Sequence, residues 1–200
     1  MIGRIIGNYK ITEFIAEGGM GTVYKGIHLH IDKVVAIKEL HHSLTNYAEF
    51  RQRFLNEAQI LAKLSHPNVI SIIDFIADGN SFYIITEYQE GKTLDNLISN
   101  GHFYSVEKCK VLFSQILAGI DFAHKNGVIH RDIKPSNILI SNNNLIKILD
   151  FGIAKISDTG RSLTRTGTKM GSLLYMSPEQ ILGKEVDFRT DIYSLGILFF

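Results

Sequence analysis

A single cysteine, Cys109, stands among the 200 residues. An internal disulfide is therefore excluded, and a reducing compartment suits the chain. Zinc spacing is missing too, since the eight histidines do not fall at ligand-like intervals from cysteine. Charge of one sign is also lacking. The 21 basic and 20 acidic residues leave a net charge of +1, so no global field points to nucleic acid or to an anionic membrane. Long apolar runs are absent: Met1-Ile2-Gly3-Arg4 leads into a stretch too often interrupted for a signal peptide or a membrane span. There is no repeat and no low-complexity tract. The expectation is a cytoplasmic protein with no nucleic-acid partner and no membrane segment in this chain. A hydrophobic content of 45% with 20% charged residues is ordinary for a globular chain, enough for one large or two small domains.

The first ninety residues read as strands with one helix. Short β-branched or aromatic runs at 9–15, 22–27 and 34–39 are punctuated by Gly18-Gly19 and Ile31-Asp32-Lys33. Runs at 70–77 and 82–88 predict a hairpin around Asp78-Gly79-Asn80. The spacing predicts a helix over 48–64, stopped by Ser65-His66-Pro67. After Gly91 the pattern turns helical. Leu112, Phe113, Ile116, Leu117, Ile120 and Ala123 form one apolar stripe on which Cys109 also falls, so Cys109 is expected in the core. Short strands at 138–140 and 146–149 flank Asn142-Asn143-Asn144, and a Gly-, Ser- and Thr-rich segment over 150–179 shows no periodicity. The shift near residue 90 divides the chain into 1–89 and 90–200, with Glu87-Tyr88-Gln89-Glu90-Gly91 as connector. Clefts between lobes are favoured ligand sites.

Two local features carry chemistry. Ile15-Ala16-Glu17-Gly18-Gly19-Met20-Gly21-Thr22-Val23 lies between two expected strands. It reads either as a plain hairpin or as a turn whose backbone N–H groups approach phosphate oxygens. Lys38, in Val35-Ala36-Ile37-Lys38, is either a solvated residue of an edge strand or the partner of Glu57. Phe50, Phe54, Leu61 and Leu64 form a helical stripe that Glu57 joins, and a carboxylate on a buried face is costly unless paired.

His130-Arg131-Asp132-Ile133-Lys134-Pro135-Ser136-Asn137, followed by Asp150-Phe151-Gly152, supplies two acids, an amide and a lysine. With the glycine turn and the lysine–glutamate pair, in this order, the chain resembles the eukaryotic-type serine/threonine protein kinases of bacteria. The resemblance implies an α+β, two-lobed protein-kinase-like fold. Its N-lobe would be β-rich with one helix, and its mainly helical C-lobe incomplete. It implies ATP and Mg²⁺ as cofactors. Lys38, held by Glu57, would bind the α- and β-phosphates under the 15–23 turn, in which Ala16 replaces the family's first glycine. Thr86 would guard the back of the adenine pocket, backbone groups of Glu87 to Gln89 would bind the base edge, and Val23, Ala36 and Leu139 would sandwich the ring. Asp132 would accept or orient the acceptor hydroxyl, Lys134 would steady the phosphoryl charge, and Asn137 and Asp150 would ligate Mg²⁺.

Lys134-Pro135-Ser136-Asn137, with Ser172, implies serine/threonine acceptors on protein substrates. Arg131 implies regulation through a phosphate on the mobile segment, with Thr164 and Thr166 as candidate autophosphorylation sites and self-association as the corollary. Asp191 would brace the His130-Arg131-Asp132 turn, while a purely local reading makes Thr190 or Asp191 a helix N-cap. The chain ends within the apolar run Leu195-Gly196-Ile197-Leu198-Phe199-Phe200. Family members continue with further helices, one carrying the arginine that pairs with the residue matching Glu179. The expectation is thus a kinase fragment. An ATP-binding or scaffolding fragment and a small-molecule phosphotransferase are the other readings.

Overall fold

The computed structural model describes residues 1–19, 21–40, 58–151 and 173–200. Met20, Glu57, Thr164, Thr166 and Ser172, together with most of the expected 48–64 helix, lie outside the described residues. The chain forms two compact units, one of residues 1–63 and 71–88, the other of residues 64–70 and 89–200.

The first unit is a six-stranded antiparallel sheet. Its strands are β1 (Ile5–Ile6), β2 (Tyr9–Gly18), β3 (Gly21–His28), β4 (Val34–Leu40), β5 (Ile72–Asp78) and β6 (Ser81–Glu87), in the order β1-β2-β3-β4-β6-β5. The alternation expected of a half-buried sheet is clearest in β4, where Val35 and Ile37 are buried and Ala36 and Lys38 are half-buried. Val35 and Ile37 join Ile6, Tyr9, Ile11, Tyr24, Tyr83 and Ile85 in one apolar core on that face of the sheet. Strands β5 and β6 meet across the expected turn, with Gly79 at φ +59°. The two-residue strand β1 was not legible in the sequence.

The second unit joins a small sheet to helices. Gly91 opens a strand, not a helix: β7 (Gly91–Thr93) pairs with β8 (Ile138–Ser141), which pairs with β9 (Ile146–Ile148). Helix α1 (Leu94–Ser99) follows directly, with Thr93 Oγ1 accepting from Asn96 N at 3.2 Å as its N-cap. Helix α2 (Val106–Lys125) starts at Ser105, whose side chain accepts from Lys108 N. Its buried stripe is Leu112, Ile116, Gly119, Ile120 and Ala123. A Cβ on Gly119 would lie 2.6 Å from Ile148 Cδ1, so glycine there lets β9 approach the helix. Cys109 is exposed, against expectation. It points along the stripe, but residues 105–111 around it are exposed or at most half-buried, so this end of the helix runs beyond its apolar cover. Leu117, well round the helix from the stripe's centre, is exposed as well. Residues 64–70 pack here too: Val69 bridges Ile148, and His66 stacks on Phe122 with ring centroids 4.9 Å apart. The chain closes with α3 (Pro178–Ile181) and α4 (Arg189–Phe199), whose Phe199 lies 4.3 Å from Phe113 by ring centroids. No helix among the described residues is long and apolar enough to cross a membrane.

Candidate active site

Sheet register assembles the nucleotide-side candidates of the first unit. Ala16 pairs with Val23, Val23 with Lys38, and Ala36 with Thr86. Directly paired residues project from the same face, so Ala16, Val23, Ala36, Lys38 and Thr86 share one face, opposite the Val35–Ile37 core. Ile15, Glu17 and Gly18 complete the exposed end of β2 and Gly19 follows it. Strands β2 and β3 pair up to Gly18 and Gly21, and these two glycines differ in their surroundings. A Cβ on Gly21 would sit 2.0 Å from Glu39 O, so the sheet itself demands glycine. Among the described residues a Cβ on Gly18 would meet only Gly21 O at 3.7 Å, an ordinary contact. Packing among the described residues therefore does not demand glycine at Gly18, and a glycine there would also allow close approach of a ligand to the backbone. Glu87 ends β6, its carboxylate accepting from Ser71 N at 2.9 Å.

The second unit carries the chemical candidates, concentrated at the 130–137 turn. Asp132 is nearly buried, and its Oδ2 lies 2.9 Å from Lys134 Nζ and 3.0 Å from Asn137 Nδ2. Asn137 Nδ2 also donates to Asp132 O at 2.7 Å. Both bonds use the nitrogen of the amide, which directs its Oδ1 elsewhere. Asn137 closes a short 3-10 turn, Pro135–Asn137, in which Pro135 supplies the restricted φ that such a start favours. Its carbonyl accepts from Leu149 N at 2.8 Å, while Leu149 O accepts from His130 Nε2 at 2.9 Å. Leu149 thus clasps both ends of the turn, and Asp150 comes directly after it at φ +50°. Leu139, in β8, is half-buried between the buried Ile138 and Ile140. Gln89 Nε2 donates locally to Glu90 O.

Two side chains from outside the turn hold it in place. Asp191, fully buried in α4, accepts from His130 N and Arg131 N at 2.8 Å each, and its Oδ2 lies 2.7 Å from His124 Nε2. The brace is present and the local alternative is not: Phe188 is the N-cap of α4 and no side chain caps it. Gln180 Nε2 donates to Arg131 O at 2.8 Å. Arg131 adopts φ +65°, a region that costs a non-glycine residue energy. His130 is wholly buried and its ring packs 4.5 Å from that of Phe151. Burial pushes its pKa down, outweighing Asp191, Asp132 and Asp150, which favour the proton. The neutral ring accepts from Asp132 N at Nδ1 and so donates from Nε2 to Leu149 O. Arg131 Nε is buried with no hydrogen-bond partner among the described residues. Glu179 has a local partner, Thr190 Oγ1 at 2.7 Å, which with backbone donors holds its carboxyl below the usual range.

His124 and Gln180 carried no sequence expectation. Gln180 had a legible signal, because Ser177-Pro178-Glu179-Gln180 is a capping box and the structure forms it. Among the described residues no group of three His, Cys, Asp or Glu could hold a metal ion. A cation at Asp150 would therefore need the Asn137 amide oxygen and oxygens of its ligand. Such a mixed hard-oxygen set fits Mg²⁺, which commonly takes one or two protein carboxylates plus phosphates and water.

A family model described as the protein kinase domain matches residues 9–200. A probable serine/threonine-protein kinase of Clostridium acetobutylicum is 44% identical over all of this chain, which covers 30% of that protein. The serine/threonine-protein kinase PrkC of Bacillus subtilis is 43% identical over 98% of this chain, again 30% of its own length. The chain thus spans under a third of the length of these curated relatives. Among solved structures, the PknI kinase domain of Mycobacterium tuberculosis aligns with a TM-score of 0.81 at 24% identity, covering 100% of this chain and 73% of that one. The likeness is one of fold: α+β, with a β-rich first unit and a mainly helical second, as in a partial two-lobed kinase.

Proposed function

Because this chain belongs to the protein kinase family, we propose that it transfers the γ-phosphoryl group of Mg-ATP to serine and threonine hydroxyls of proteins. The observation that carries the reading is the Asp132–Lys134–Asn137 cluster, with its carboxylate pinned by an ammonium and an amide at 2.9 and 3.0 Å. In phosphoryl transfer the protein contributes mainly position and charge. Asp132 orients the acceptor hydroxyl and takes its proton. Lys134, already beside that carboxylate, meets the charge on the transferring group. Asn137 Oδ1 and the Asp150 carboxylate hold Mg²⁺, which neutralises phosphate charge. Lys38 binds the α- and β-phosphates, Gly18 lets backbone approach them, and Val23, Ala36 and Leu139 enclose the base, with Thr86 behind it and the Glu87–Gln89 backbone along its edge. The partner assigned to Lys38, Glu57, lies outside the described residues.

Regulation follows from Arg131. A buried guanidinium nitrogen with no described partner is costly to leave unmet. A phosphate on Thr164 or Thr166 would supply one, with a second copy of the chain as the phosphorylating partner. The cytoplasm, where ATP is abundant, is the compartment that suits this reaction.

Asp132→Asn is the decisive experiment. Transfer to a generic protein substrate should fall by about 10²–10⁴-fold while ATP still binds. Unchanged transfer contradicts the role of Asp132. ATP binding by the wild-type chain with no labelled protein supports the scaffolding reading instead. Phosphopeptide mapping after incubation with ATP should find Thr164 or Thr166 modified, and an active enzyme with an unmodified segment removes the regulatory role.

A further inference from the structure

Gln180 is bonded in two directions at once. Its Oε1 accepts from Ser177 N at 3.1 Å, closing the capping box that starts α3, and its Nε2 donates to Arg131 O at 2.8 Å. Only the oxygen end of an amide can meet an N–H and only the nitrogen end a carbonyl, so the network sets its orientation. The carbonyl it holds belongs to the peptide joining Arg131 to Asp132. The N–H of Arg131 is held as well, by Asp191 Oδ1 at 2.8 Å. A strained residue, φ +65°, is therefore gripped at both backbone polar groups by side chains from two different helices. Unfavourable backbone conformations persist where surrounding structure over-determines them, and here the next residue carries the candidate catalytic carboxylate.

We propose that Gln180 is a positioning residue for Asp132: by holding the Arg131–Asp132 peptide plane it aims the carboxylate, and it makes that aim depend on formation of the α3 start. Its catalytic consequence rests on the kinase reading above, whereas its effect on the turn does not. Two partners of the carboxylate, Lys134 and Asn137, come from its own turn and move with it. Gln180 references the turn to a separate element 49 residues away in sequence.

Two variants separate positioning from folding. Gln180→Glu keeps an oxygen acceptor for Ser177 N, so the capping box survives, but sets a carboxylate oxygen against the Arg131 carbonyl. Gln180→Met fills similar space and loses both bonds. Amide hydrogen exchange is measured on the nucleotide-free chain, and steady-state kinetics with Mg-ATP and a generic protein substrate. Expected for Gln180→Glu are amides of His130, Arg131 and Asp132 exchanging about tenfold faster, with helix α2 unchanged. The value of kcat should fall by about 10- to 100-fold with KM for ATP unaltered. Gln180→Met should lose kcat similarly and also speed exchange in α3. Unchanged exchange at the turn, an unchanged kcat, or uniformly faster exchange across the second unit overturns the proposal. A wild-type chain that transfers no phosphate refutes the kinase reading, and the exchange arm then still decides whether Gln180 holds the peptide.

Discussion

The β2–β3 hairpin and the 130–137 turn both carry candidate site residues, yet they are held in opposite ways. From Thr12 to Gly18 strand β2 is exposed, and the backbone ladder with β3 is what fixes it. In the turn, His130, Asp132, Ile133 and Asn137 are buried, and side chains from α3 and α4 grip its backbone. A ladder with little apolar burial can open locally at low cost. A buried turn with its polar groups met on several sides is preorganised, and such groups stabilise developing charge without reorganising during the reaction. Under the proposed function, the difference suits a region that would admit and release a nucleotide and another that would aim a carboxylate.

The comparison breaks most readily at Asp191. Asp191→Ala strips acceptors from His130 N, Arg131 N and His124 in a buried site. We expect a loss of about 3–5 kcal/mol in urea-unfolding stability, and a loss below about 1 kcal/mol would show the turn to be held elsewhere.

Gly21 and Gly18 sharpen the contrast within the hairpin. Gly21→Ala drives a Cβ into Glu39 O and should cost about 1–3 kcal/mol by the same measurement. Gly18→Ala has room among the described residues and should stay within about 0.5 kcal/mol of wild type, raising KM for ATP instead. Equal stability losses at the two positions would remove the distinction between a glycine kept for packing and one kept for a ligand.

A graded effect is a pH dependence in the turn alone. Burial holds the folded-state pKa of His130 below the ordinary value of 6.5, near which the unfolded chain takes up its proton. Folding therefore excludes a proton on the acid side of that value. The stability contributed by the neutral ring is complete above pH 6.5 and declines on acidification, by up to about 1.4 kcal/mol per pH unit. Urea midpoints compared at about pH 7.5 and 5.5 should shift less in His130→Asn than in wild type. Equal shifts would show that His130 does not carry the dependence.

Much of this was legible because it is local. The β-branched run at 34–39, the Asp78-Gly79-Asn80 turn and the β8–β9 pair announce themselves through composition and turn chemistry. The 130–137 and 150–152 motifs were legible as a resemblance. Cys109 was misread because helical period tells which way a residue points, not whether anything covers it there. Strand β7 was missed because three residues carry no period, and Gly91-Lys92-Thr93 is a strand only because β8 lies beside it.

What the amino-acid sequence showed by itself is most of the longer strands, the long helix α2 and the local motifs that carry the candidate side chains, since each depends on residues within a few positions of one another. The tertiary structure alone decided that Asp191 and Gln180 meet at one strained residue, Arg131, with His124 bonded to Asp191, across separations of 49 to 67 residues. Such contacts depend on how elements pack, and no local period records where two distant elements will meet.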